Sequence, residues 1–192
     1  MRALPRTGAA VALGVAVLAA VVLVVGGNGG DEPPAPADRT AVPALSPPVD
    51  PDQDYTDPTA VCLSFADTVH RHDTRTDTSA QAAYRRAMAY ATAELAAAVA
   101  AQPEARDHQW PTWRSHQAAT DPTVVAAIAD GDVQPADTAA ESYRAAHVSL
   151  TPVGVDGWQG PTQQRLVLCT LRRDSGGWRV ERYQLTDTPE PQ

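Results

Sequence analysis

The chain has no lysine, one phenylalanine and two cysteines among its 192 residues, and each scarcity closes off a class of function. All 15 basic residues are arginines, against 23 acidic ones, for a formal net charge of −8. No basic run is interleaved with aromatics, so the electrostatic footprint of a nucleic-acid binder is missing. The two cysteines, Cys62 and Cys169, form no Cys-x-x-Cys pair, the spacing that supports a lowered thiol pKa and exchange chemistry. No Ser-centred elbow, phosphate-cradling Gly loop or haem-attachment motif occurs, and there is no internal repeat. The all-arginine, alanine-rich composition reads as a GC-rich coding bias and carries no mechanism.

What is present begins with Arg2 and Arg6, followed by an uncharged run at 7–30 whose apolar heart is 9–25. Crossing a bilayer takes roughly 17–25 helical residues, which this run reaches. A secretory signal has a shorter apolar region of roughly 7–15 residues and an Ala-x-Ala-like end. This run ends instead in Val24-Val25-Gly26-Gly27, and no cysteine follows it for lipid attachment. A retained anchor is therefore expected over a cleaved signal. With arginines before it and Asp31 and Glu32 after it, the positive-inside tendency places the rest of the chain outside the cytoplasm.

Residues 28–57 are rich in proline, and Asp31, Glu32, Asp38, Asp50, Asp52, Asp54 and Asp57 face only Arg39. With almost nothing apolar to bury, this stretch is expected to be a disordered linker. The expected order is a cytoplasmic end at 1–6, a membrane helix at 7–27, the linker at 28–57, one domain at 58–187 and a loose tail at 188–192. The chain is thus expected in the cell membrane as a single-pass protein with an extracellular domain.

Within the domain, Asp57 and Pro58 open a helix that carries Val61, Cys62, Phe65, Ala66 and Val69 on one side. An Ala-rich segment at 79–102 is helical, with a division near Thr92, and Pro103 ends it. Trp110, Trp113 and His116, within 108–118, mark a short helix or ordered turn with Pro111 at a first-turn position. The pattern then turns to strands at Val124-Val125, at 142–150, and in a hairpin of 165–172 with 178–185 around a Gly-containing turn. About three helices on a curved antiparallel sheet of about four strands make an α+β domain.

This order resembles the nuclear transport factor 2-like cone fold. The residues that carry the likeness are Phe65, the run Ala82-Ala83-Tyr84-Arg85-Arg86, Trp110, Trp113 and the strand Trp178-Arg179-Val180. With the N-terminal anchor, the whole is similar to exported scaffold proteins of conjugation and type IV secretion machines, and to mammalian-cell-entry-associated membrane proteins. The resemblance implies an assembly role with protein partners or self-association, and fold by itself does not establish function.

Four sets of residues are candidates for chemistry. Cys62 and Cys169 both fall on core-facing positions, and outside the cytoplasm they can bridge; otherwise they pack as buried thiols. His70-Arg71-His72-Asp73 offers metal-ligating groups, but residues two apart on a helix point apart, so a solvated helix end is the preferred reading. His108 and His116 flank the tryptophans as packing rings. Tyr143 and His147 lie four apart on one strand face and are the best pair for a pocket inside a cone, where SnoaL-like cyclases and isomerases hold their acid or base. Trp158, in a loop between strands, is a candidate partner surface or a core filler. The expected function is a non-enzymatic, membrane-tethered scaffold or interaction domain, with no cofactor or metal. A small-ligand site or a cyclase-like, isomerase-like or hydrolase activity in the cone is the alternative.

Overall fold

The computed structural model describes residues 49–104, 106–127 and 135–187. The apolar segment read as a membrane helix, the linker up to residue 48 and the tail lie outside the described residues. Among the described residues no helix is long and apolar enough to cross a membrane.

Helix α1 (Pro58–His70) starts where the sequence places it: the Asp57 carboxylate accepts the Thr59 N–H and Pro58 occupies the first turn, a position where its missing donor costs nothing. The Ala-rich segment divides into α2 (Gln81–Ala87), a 3₁₀ turn (Met88–Tyr90) and α3 (Ala93–Ala101), and Thr92 caps the last through the Leu95 N–H. Helix α4 (Trp110–Ser115) is the Trp-bearing segment. Strands β1 (Thr123–Ala127), β2 (Glu141–Leu150), β3 (Gln163–Asp174) and β4 (Gly177–Asp187) follow, antiparallel in the order β1-β2-β3-β4. The domain is therefore α+β, with helices on one face of a curved sheet.

Period-two alternation sorts the strands into two faces. Ala146, Val148 and Leu150 of β2, Val167, Cys169 and Leu171 of β3, and Trp178 and Val180 of β4 are buried beneath the apolar side of α1, where Val61, Cys62, Phe65, Ala66 and Val69 are buried in turn. Each large apolar side chain moved from water contributes about 1.5–3 kcal/mol. Cys62 and Cys169 are joined as a disulfide with a Cα–Cα distance of 6.1 Å, so the bridge reading of the pair holds and α1 is stapled to the sheet. Between Thr170 and Leu171 the β3–β4 register shifts, leaving Glu181 as an extra residue; such a bulge bends a strand and increases its twist.

The domain begins earlier than Pro58. Tyr55 is buried, its hydroxyl donates to the Ala89 carbonyl at 3.0 Å, and its own carbonyl accepts the Trp178 N–H at 2.7 Å. Arg179 lies 3.5 Å above the Tyr55 ring, and Tyr90 donates to Asp50. The approach of Tyr55 is so close that a Cβ on Gly177, whose φ is +109°, would collide with its backbone. One aromatic thus anchors a segment whose composition reads as linker.

Candidate functional site

Past the end of α1 the concave face of the sheet is open. A cleft of about 560 Å³ lies among Ala80 and Tyr84 of α2 and its approach, Val99 of α3, His108, and Arg165 and Tyr183 of the sheet. A deeper recess of about 150 Å³ shares Ala80, Tyr84 and Arg165 with it and reaches His70, Trp113 and Leu185. The cleft exists because α1 stops at His70 while β3 and β4 run on beneath α2 and the segment before α4. Arg165 shares its face with Val167 and Cys169, and Tyr183 pairs with Cys169, so both belong to the concave side.

The floor is made by two histidines that sequence reading leaves in solvent. Thr120 explains the difference: its hydroxyl donates to the His70 carbonyl at 2.6 Å and accepts the His72 N–H at 2.8 Å, and its N–H donates to the His72 carbonyl at 2.8 Å. The chain after α1 is thereby stitched inward. His70 is buried, and its Nδ1–H donates to the Ala66 carbonyl at 2.8 Å, which leaves Nε2 as an acceptor. Burial is the main cause that lowers its pKa, and the charge of Arg165 adds to it against the Ala66 hydrogen bond. His72 sits edge-on to Trp110 and Trp113, at 5.9 and 5.7 Å. Burial, helped by His70, pushes it down to about 4. His72 Nδ1 and Trp110 Nε1 are buried without a hydrogen-bond partner among the described residues, which itself costs stability.

The walls combine phenols and amides. Tyr84 and Tyr183 are half-buried, burial raises both pKa values, and neither hydroxyl has a hydrogen-bond partner among the described residues. Tyr183 is tilted against Phe65 at 5.0 Å between ring centres. Along one side runs a polar chain: Arg165 donates to Gln163 Oε1 at 3.0 Å, Gln163 Nε2 to Gln109 Oε1 at 3.0 Å, and the Gln109 N–H to Asp107 Oδ1 at 2.7 Å. Asp107 Oδ1 also takes the Trp110 N–H at the start of α4, and Arg165 is paired with Asp187. No group of three or more His, Cys, Asp or Glu suited to a metal ion occurs among the described residues.

Tyr143 and His147 do share a face, but it is the outward one. Their β3 partners are Thr170 and Leu166, whereas Ser142, Ala146 and Val148, in the alternate positions, pair with Leu171, Val167 and Arg165 on the concave side. His147 is exposed and Tyr143 half-buried, so the pair lines no cone interior. Alternation alone assigns partners to a face without saying which face the helices cover. The usable signal was Cys169: once it bonds to α1, Arg165 four residues before it must point the same way. Trp158 is half-buried against the edge of the core, with one face stacked on His116 at 4.5 Å and 3° between planes. His116 Nδ1 in turn meets the Asp156 carboxylate at 2.8 Å, so that indole face is occupied within the domain.

Comparison with protein-family models, with curated proteins and with solved structures finds no match to this chain.

Proposed function

We propose that this domain is a non-enzymatic binding module, held outside the cytoplasm by the N-terminal apolar segment, and that its contact site is the concave cleft. The observation that carries this reading is a preformed opening over the sheet in which two phenols lack hydrogen-bond partners among the described residues, Tyr84 and Tyr183, beside a pre-arranged polar chain. Ligand sites are characteristically concave, largely preformed and equipped with a few placed polar groups. The carboxylates nearest the cleft are committed elsewhere: Asp107 to the main chain before α4 and Asp187 to Arg165. His70, oriented by a main-chain carbonyl, keeps Nε2 as an acceptor for a donor group, and burial lowers its pKa, which weakens it as a base.

A second reading places an assembly contact on the outward sheet face, in keeping with the cone-fold likeness and a scaffold role. The favouring observation is that Val125 there is 55% exposed and shares that face, across His147 of β2, with half-buried Leu166 and Leu168. A photo-crosslinking benzoylphenylalanine at Gln102 on the cleft rim and, separately, at Val125 distinguishes the two, with adducts from whole cells read by intact mass. Adducts confined to position 102 support the cleft, and adducts confined to 125 replace it with the sheet-face contact. Conversion of a bound compound into product by the purified full chain would overturn the non-enzymatic reading.

A further inference from the structure

The chemistry of the cleft narrows its ligand, given that the cleft is the binding site. We infer that it takes a neutral, hydroxyl-rich ligand, a short saccharide, with sugar faces on Tyr84 and Tyr183 and hydroxyls on the glutamine side chains.

Three observations converge. First, the polar lining is dominated by neutral groups that donate and accept at once. Gln81, Gln102 and Gln109 line the cleft, Gln163 lines the recess, and each amide carries both two donors and an acceptor, the same duality as a sugar hydroxyl. The Gln163 and Gln109 side chains are already held to each other, and Gln163 to Arg165, so little side-chain entropy is lost when a ligand meets them. The buried His70, with Nδ1 held by Ala66, presents an acceptor to the recess.

Second, the charges oppose one another. Arg106 and Arg165 line the cleft with Asp107, and Arg165 is paired with Asp187. An anion at Arg165 would have to displace Asp187 and lie beside Asp107, and a cation would face two guanidinium groups. Third, the two tyrosine rings, with Ala80, Val99 and Pro103, provide an apolar wall for the C–H face of a pyranose. A wholly apolar ligand would instead strand the phenols and His70 Nε2 away from water, at a cost for each unsatisfied group. The opening of about 560 Å³ falls in the range of roughly 300–1,000 Å³ that encloses a ligand of several rings, and the recess of about 150 Å³ adjoins it.

The test is calorimetric titration of the oxidised full chain with neutral trisaccharides built on glucose, N-acetylglucosamine, mannose and arabinose, and with benzoate as an anionic aromatic probe. The expected result is millimolar or tighter binding of at least one saccharide and none of benzoate. Gln163→Leu is expected to weaken that binding at least tenfold while melting within a few degrees of the parent. Tyr84→Leu, which keeps apolar bulk and removes the ring, gives the same loss. Benzoate binding with no saccharide bound overturns the ligand class and leaves the cleft standing as the site. No binding by any probe also overturns the saccharide assignment, and the Gln102 crosslink then decides the cleft independently. Saccharide binding that survives both substitutions puts the sugar elsewhere on the chain and overturns the proposal.

Discussion

The concave and outward faces of the sheet come from the same four strands and the same alternation, yet they differ in kind. The concave face holds Val167, Cys169 and Leu171 at no more than 2% exposure under a disulfide-bonded helix, then opens into a cleft where α1 ends. The outward face carries Tyr143, His147, Leu166 and Leu168, with His147 exposed and the other three half-buried. What separates them is which side α1 lies on. That choice follows from the summed burial of one helix stripe, not from any single strand residue.

The concave face depends most on the staple. The Cys62–Cys169 bridge spans 107 residues, for which the chain-entropy model gives about 4–5 kcal/mol as an upper figure. The Cys62→Ser/Cys169→Ser chain is expected to lose most of that, seen as a lower urea midpoint that reductant no longer changes. Next, Leu171→Ala on the concave face should cost about 2–5 kcal/mol through transfer and cavity terms. Leu168→Ala on the outward face should cost less than half as much, and equal losses in denaturant melts would contradict the assignment of faces.

Acid sharpens the contrast. His72 titrates normally when unfolded and is held down to about 4 when folded, so between those values the unfolded chain binds more protons and stability falls as pH falls. At 1.36 kcal/mol per unit, a drop from the ordinary 6.5 makes about 3 kcal/mol of stability present above neutral pH and lost toward pH 4. His70, lowered in the same direction, steepens the loss. His72→Phe keeps a ring against Trp110 and Trp113 and should flatten the acid side of a plot of stability against pH; an unchanged slope would mean that His72 is solvated. The smallest effects belong to the outward face, where Tyr143→Phe and His147→Ala are expected to change stability within about 0.5 kcal/mol. Neither should alter ligand binding at the cleft, as titration of the parent and variant chains would register.

Local signals were the legible ones. Asp57 before Pro58, the division near Thr92 and the Ser175-Gly176 turn each act over a few residues, and the α1 cap, the divided helix and the hairpin lie where those residues put them. The misread residues share a different trait. His70 and His72 are polar and follow a helix end, so composition places them in water, but Thr120, 50 residues from His70, draws them inward. Tyr55 sits in an acidic, Pro-rich stretch and is ordered by contacts with Ala89, Trp178 and Arg179. The polar chain of the cleft likewise joins Gln109 to Gln163 across 54 positions. Long-range partners of this kind leave no periodic trace.

The sequence placed the helices and strands to within a few residues, showed which helix stripe is apolar, and put two cysteines on core-facing positions, because caps, turns and periodicity are properties of neighbouring residues. Only the tertiary structure decided which sheet face became the core, that Tyr84, Arg165 and Tyr183 meet at one opening while Tyr143 and His147 face away, and that two histidines are held neutral. Those outcomes depend on the register of distant strands, where a shift of one residue exchanges the two faces.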